Sequence, residues 1–460
     1  MSEIKQLDSN INITNNWQKT CAAEDWSKPE FKYVLENIFT GNASYHRKQW
    51  EFVAIFINLI QQGKLDGNSV GASFGAGKEP LIYHVLPYVK SFLATDLYSW
   101  NTGWDTAKMN PNEQPIDFLK RNAPKNSRLD NLKAQEMDMR DLSEIESNSL
   151  DFCYSSCAVE HIGHKEDFIK HLTEVKRVLK KDGVYVMTTE FLYNHSTIPN
   201  KGNYKFDIDY LKQLFIESGL NTQPIFDAGC EENRLNVPRA FVRPLVGGKN
   251  MEKLLASAAI LDIEGVPYTS CCFVLSPSEE STPSSFQVNG LEQSAEFIKK
   301  RLLNNVKNLY SSRRNLDPFY SLNKNTRLYL DDHITFRTNE SNKNPIKLDR
   351  ANFCFTDFVY FGAGNVSISI NYKLEKHKGR INWKVVEKYP MEIKQKTELF
   401  TKFIKHSGKT DCQTIQFNFK ADPEKVYAII GQIAPKEMRK NDIKLNLTSL
   451  SVTALMKPVD

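Results

Sequence analysis

Much of what would mark a specialised class of protein is missing from this chain. No stretch is apolar for the 18 or so residues that a membrane-spanning helix needs, and the opening segment MSEIKQLDSNINITNNW has no apolar core to act as an export signal. The expectation is a cytoplasmic protein without a membrane span. Eight cysteines are scattered over 460 residues without framework spacing, which excludes a small disulfide-stapled scaffold and suits reduced thiols. Charge of one sign is also lacking. Sixty basic against 55 acidic residues leave a net charge of +5, too slight an excess to indicate nucleic acid or an anionic membrane as partner. No internal repeat is found, and the sequon at Asn194-His-Ser196 is what chance supplies in an Asn-rich chain.

What is present is an ordinary globular composition, 40% apolar and 25% charged, in a chain long enough for two or three domains. Helical spacing of apolar residues covers Phe31 to Ile38 and Arg47 to Ile60. Short apolar runs then alternate with amphipathic stretches. Ser69 to Ser73, Ser91 to Thr95, Lys133 to Met137, Leu150 to Ser155 and Gly183 to Thr189 read as strands of a parallel α/β sheet. A helix over Asp207 to Glu217 leads to two closing strands, Thr222 to Phe226 and Tyr268 to Leu275, which makes seven.

A Pro/Ser/Glu stretch at 276–285 reads as a linker, followed by a helix from Ser294 to Leu309. Beyond it lie short alternating runs at Arg327 to Leu330, Ile334 to Arg337, Phe353 to Phe361, Val366 to Tyr372, Ile381 to Val386, Thr414 to Phe419, Tyr427 to Ile433 and Leu445 to Ala454. These predict an antiparallel sandwich of jelly-roll type. The expected organisation is a helical extension (1–55), an α/β domain (56–280), a helical linker (281–314) and a β-sandwich (315–460).

The most informative segment is Val70-Gly-Ala-Ser-Phe-Gly-Ala-Gly-Lys-Glu-Pro80, a small-residue turn between the first strand and a helix. A triphosphate loop requires Ser or Thr after Lys78 to hold Mg²⁺, whereas Glu79 stands there. A dinucleotide loop requires a small third residue where Pro80 stands. S-adenosylmethionine has no phosphate and bears a sulfonium cation, so a glycine turn followed by an acid is compatible with it. Asp96, ending the second strand about twenty residues on, is placed to accept ribose hydroxyls, and Asp138 follows the third strand.

With these residues in view the chain resembles the class I S-adenosylmethionine-dependent methyltransferases. The strings that carry the resemblance are Gly71-Ala-Ser-Phe-Gly-Ala-Gly-Lys-Glu-Pro80, Ala94-Thr-Asp-Leu97, Thr102-Gly-Trp-Asp-Thr106, Ser155-Ser-Cys-Ala-Val-Glu-His161, Arg177-Val-Leu-Lys-Lys-Asp-Gly183 and Met187-Thr-Thr-Glu-Phe191. It is similar, more narrowly, to a bacterial subgroup opening on a Lys48-Gln-Trp-Glu51-like motif, over about residues 45 to 277. The resemblance implies a seven-stranded Rossmann-like sheet with the cofactor over the carboxyl ends of its first strands. It further implies Ser73, Gly75, Gly77 and Glu79 at the methionine end, Asp96 at the ribose, Asp138 and Met139 at the adenine, and Leu97, Ser155 and Ser156 among the other cofactor-binding residues. Ser73 stands where the subgroup carries its first glycine, and Gly71 where many class I members have an acid.

Methyl transfer asks the protein to align donor and acceptor and, for a hydroxyl acceptor, to remove a proton. Ser156, Glu160 and His161 after the fourth strand, with Glu190 and His195 after the fifth, would surround the reacting methyl. His161 is the leading general base, against a plain reading as a helix-start histidine bonded to backbone; Glu190 and Glu160 follow. Cys153, Cys157, His161 and His164 are metal-capable, yet Cys153 lies in an apolar strand, so core thiols and no metal are expected. Trp100 and Trp104 could cover a ring or simply pack. The Lys-rich stretches Lys373 to Arg380 and Lys384 to Lys409 read as a solvated face or as a contact for an acidic polymer. The expected acceptor is a small molecule or glycan, with a hydroxyl of a saccharide or glycolipid precursor as the reading, since the sandwich weakly resembles carbohydrate-binding modules. The alternatives are methylation at N or C of a small metabolite, or a cofactor-fold protein that binds without catalysis.

Overall fold

The computed structural model describes residues 13–99, 103–194, 196–199, 202–238, 259–263, 266–277, 286–311, 334–337, 352–355, 364–375, 378–388, 397–407, 411–433 and 446–457. They fall into two compact units. The first takes the described residues up to Pro238 together with 259–261 and 267–298; the second takes 262–263, 266 and those from 299 onward.

The strands up to residue 289 alternate with helices; those at the centre of the sheet are buried on both faces, as a parallel sheet between helical layers requires, and the outer ones are partly exposed. The strands are β1 (Val70–Phe74), β2 (Ser91–Asp96), β3 (Leu132–Glu136), β4 (Leu150–Ser156), β5 (Leu179–Leu192), β6 (Leu220–Thr222), β7 (Ile225–Asp227), β8 (Leu261–Ile263), β9 (Val266–Pro277) and β10 (Gln287–Asn289). The main sheet runs β3-β2-β1-β4-β5-β9-β6, with β8 beside β9. The first five strands are parallel, while β9 lies antiparallel to both β5 and β6. This is the seven-stranded Rossmann-like sheet expected from sequence. One predicted strand, Thr222 to Phe226, is split. Pro224 has no N–H for a ladder, so Leu220–Thr222 ends at the sheet edge and Ile225–Asp227 turns away to pair with β10.

The helices are α1 (Pro29–Tyr33), α2 (Arg47–Gln61), α3 (Pro80–Val85), α4 (Pro115–Asn122), α5 (Lys165–Val178), α6 (Ile208–Ser218) and α7 (Leu291–Ser311). Their ends follow from side-chain chemistry. Asp207 caps α6 by accepting the Tyr210 N–H at 2.9 Å, and Gly219 closes it at φ +70°. Residues 13–55 share one apolar cluster with the sheet: Trp17, Trp26, Phe31 and Trp50 pack with Phe92 and Phe152. The Cys21 N–H donates to the Ser270 carbonyl and the Cys272 N–H to the Lys19 carbonyl, stitching the segment to β9. Beneath it Lys19 and Asp25 form a buried ion pair at 2.6 Å, to which the Trp50 indole adds a 2.7 Å hydrogen bond. No described helix is long and apolar enough to cross a membrane.

The second unit is all-β from Ile334 on. Its strands are β11 (Ile334–Arg337), β12 (Asn352–Phe355), β13 (Gly364–Glu375), β14 (Lys378–Lys388), β15 (Thr397–Ser407), β16 (Asp411–Ala421), β17 (Val426–Ile433) and β18 (Asn446–Lys457). They pair β11 with β18, β12 with β17, β13 with β16 and β14 with β15, first with last and inward to the central hairpin. A long antiparallel ribbon so paired rolls into two four-stranded sheets, β11-β18-β13-β16 and β12-β17-β14-β15, which is the jelly roll. The sheets meet where Tyr372 of β13 packs on Trp383 of β14, ring centroids 5.3 Å apart, and contacts His406 Nε2 of β15 at 3.0 Å. β15 is absent from the sequence expectation. It is an edge strand carrying Lys402 and Lys405, and such charge protects an edge from pairing while disguising the strand. The run predicted at Arg327 to Leu330 lies outside the described residues.

Candidate functional site

The turn after β1 takes its shape from two glycines. Gly75 and Gly77 have φ of +66° and +49°; a Cβ on Gly75 would sit 2.5 Å from the Ala158 Cβ, and one on Gly77 2.9 Å from the Thr106 carbonyl. The Gly77 N–H donates to Asp96 Oδ2 at 2.7 Å and the Leu97 N–H to Oδ1 at 2.7 Å. Asp96 is thereby held at the end of β2 with a lone pair remaining on each oxygen. Burial raises its pKa against those two donors. Beside it Leu97 presents an exposed apolar side chain.

Asp138, after β3, is bound by Arg140 at 2.6 Å, which together with the Arg140 N–H lowers its pKa. The Met139 carbonyl accepts from His171 Nδ1 at 2.7 Å. That fixes the other nitrogen as an acceptor, so Tyr185 O–H donates to Nε2 at 2.9 Å and Ser155 Oγ lies 2.5 Å from the same phenol. Burial takes His171 down to about 4, so it is a neutral member of this chain. Ser155 therefore faces the core network, and Ser156 faces the other way.

Around Ser156 gathers an ionic cluster. Lys48, in the first turn of α2, lies 2.9 Å from the Ser156 carbonyl, 3.0 Å from its Oγ, 3.0 Å from Glu51 and 3.1 Å from Glu79. Ser156 Oγ also bonds Glu51, whose second oxygen accepts from Ser270 at 2.6 Å. Burial pushes the Glu79 carboxyl up to about 7, with Lys48 opposing. Its Oε2 is buried without a partner.

Beyond β5, Glu190 is clamped by Arg47 at 2.6 Å and Lys205 at 2.8 Å, both cations lying against the Tyr268 ring. Glu160 is fully buried. Its Oε2 accepts from Thr189 at 2.9 Å while Oε1 has no partner; burial raises its pKa, against the pull of His161. His161 Nδ1 contacts the Gly202 carbonyl at 2.5 Å, and its ring lies 4.7 Å from that of Trp104, which is 55% exposed.

The structure thus brings Ser73, Gly75, Gly77, Glu79, Asp96, Ser156, Glu160, His161 and Glu190 to the carboxyl edge of β1, β2, β4 and β5, where ligands of open α/β sheets bind. Cys153 is buried in the apolar core and His164 bonds the Tyr204 hydroxyl, so neither joins Cys157 and His161. Among the described residues no three metal-capable side chains converge. Cys157, at φ +49°, makes the turn that leads out of β4. His195 and Trp100 lie outside the described residues. Sequence reasoning gave no role in the site to Arg47, Lys48, Glu51, Lys205 or Ser270, although Lys48 and Glu51 stand in the motif that carries the narrower resemblance. The Arg47-Lys48-x-x-Glu51 spacing at a helix start was a usable signal for the first three; Lys205 and Ser270 carried none.

The orphaned oxygen of Glu79, the carboxylate of Asp96 and the apolar side chain of Leu97 fit the ammonium, ribose and adenine of S-adenosylmethionine in turn. Residues 92–187 match the family described as Methyltransferase domain. The chain is also similar to solved structures. A Galdieria sulphuraria protein named for sarcosine dimethylglycine methylation is 19% identical, with 38% of this chain and 60% of that one aligned and a TM-score of 0.29. The YcgJ protein of Bacillus subtilis is 13% identical over 49% of this chain and 99% of its own, with a TM-score of 0.32. An arsenic(III) S-adenosylmethionine methyltransferase from Chlamydomonas reinhardtii is 12% identical over 49% and 66%, with a TM-score of 0.29. The chain therefore spans less than two thirds of the first and third of these proteins. Among curated proteins no match is found.

Proposed function

We propose that this chain, which carries an S-adenosylmethionine-dependent methyltransferase domain, transfers the methyl group to a hydroxyl of a saccharide or glycolipid precursor. The observation that carries the reading is the His161–Gly202 contact. A carbonyl oxygen can only accept, so the proton belongs on Nδ1 and the lone pair on Nε2. An imidazole so oriented beyond β4 is suited to take a hydroxyl proton. The exposed Trp104 ring beside it is an apolar plate against which a sugar ring can lie.

The cofactor supplies an electrophilic methyl group; alignment and proton removal fall to the protein. In this reading Gly75 and Gly77 let the backbone approach, with Ser73, Glu79 and Ser156 at the methionine end. Asp96 takes the ribose, and Leu97, Asp138 and Met139 bracket the adenine. Glu160, whose pKa burial raises, lies behind His161, while Glu190 fixes Arg47 and Lys205 at the rim of the acceptor space. The β-sandwich (315–460) is a separate domain that helps select the acceptor. Seven described cysteines form no disulfide, which suits a reducing cytoplasm.

The test is turnover by the full chain against a panel of saccharides and glycolipid precursors, reading S-adenosylhomocysteine formed. Turnover with a hydroxyl acceptor that His161→Ala lowers by about 10²-fold or more supports the assignment. Cofactor binding without turnover on any panel member, or turnover only with amine acceptors, overturns it.

A further inference from the structure

Lys48 sits in a nest of four oxygens, all within 3.1 Å: Ser156 O, Ser156 Oγ, Glu51 Oε2 and Glu79 Oε1. An ammonium has three protons to give, so one of the four contacts is surplus. Glu51 has partners besides Lys48, from Ser270 on one oxygen and Ser156 on the other. Glu79 has none: Lys48 is its single counter-ion, and its other oxygen is buried unpaired next to the glycine loop. At 3.1 Å the Lys48–Glu79 contact is the longest of the four.

The methionine end of S-adenosylmethionine carries an ammonium and a carboxylate on one carbon. It needs a cation and an anion side by side. We propose that Lys48 is the cation that receives the cofactor's carboxylate, giving up Glu79, which takes the ammonium in exchange. This rests on the methyltransferase reading of the site. The exchange leaves every buried ion with a counter-ion throughout, which avoids the cost of stranding one. Glu79 is poised for it. Burial keeps its carboxyl near 7; Lys48 pulls it down, Glu51 and Asp96 push it up, and the Tyr98 and Tyr154 hydroxyls that also face it are held un-ionised by burial.

The experiment compares binding of S-adenosylmethionine and its decarboxylated form to the full chain by titration calorimetry. Wild type should prefer the intact cofactor by about tenfold or more, the worth of a charge-assisted hydrogen bond. Lys48→Met should lose that preference by weakening the intact cofactor alone, and Lys48→Arg should keep it. Equal weakening of both ligands by Lys48→Met, or no preference in wild type, overturns the assignment of Lys48 while leaving the domain's identity intact. Failure of wild type to bind either ligand overturns both. Should Lys48→Met not fold, the wild-type preference and its retention by Lys48→Arg still decide the matter.

Discussion

Cofactor binding should expel a proton from Glu79, and the amount is set by a carboxyl that titrates near pH 7. If the cofactor's ammonium meets the ionised form, the fraction still protonated before binding is released on binding. That is about three quarters of a proton at pH 6.5, about half at pH 7 and about a tenth at pH 8. Glu79→Gln removes the titrating group and should remove this release. The assay is calorimetry at each pH in buffers of different ionisation enthalpy, taking wild type minus variant. The same carboxyl has a stability signature. Its folded value, about 7, lies above the ordinary 4.5, so the native state holds a proton that the unfolded chain gives up. Native stability therefore falls as pH rises from about 4.5 to about 7 and stays reduced above it, by at most about 3 kcal/mol. Glu79→Gln should accordingly be more stable than wild type at pH 8 and similar at pH 5, while binding cofactor less tightly. Equal proton release by the two proteins at pH 6.5 would refute the reasoning.

Three further outcomes follow from the geometry. Gly77→Ala places a side chain at φ +49° and 2.9 Å from the Thr106 carbonyl, at a backbone cost of about 1–2 kcal/mol, so cofactor affinity should fall when measured by titration. Asp25→Asn strands Lys19, which is 1% exposed, and should destabilise the first unit by about 3–5 kcal/mol; a thermal transition unchanged from wild type would contradict this. Trp104→Ala should raise KM for a glycan acceptor more than it weakens cofactor binding, because its exposed ring lies against His161, the assigned base.

The sheet and its cofactor edge were readable because local chemistry imposes them. Apolar runs separated by amphipathic helices leave few options but a parallel sheet, and Gly75, Gly77 and Asp96 occupy positions that recur at fixed offsets from strand ends. Strand limits were less legible: Pro224 cuts what reads as one strand into two, and the lysines of β15 hide a strand altogether. Of the ionic cluster, only the Lys48–Glu51 pair, three positions apart on α2, was legible. Lys48 and Glu79 are 31 positions apart, and Glu51 and Ser270 more than two hundred, so no sequence window contains these two contacts.

By itself, then, the sequence determined the α/β class, the jelly-roll partner domain and the acids that follow successive strands, since these depend on periodicity and on spacing within one strand-loop-helix unit. Only the tertiary structure decided which groups share protons and charge. The first turn of α2 is carried onto the ends of β1, β4 and β9, where burial raises Glu79 and Arg47 and Lys205 close on Glu190. Electrostatics acts through space and dielectric, and neither is a property of position along the chain.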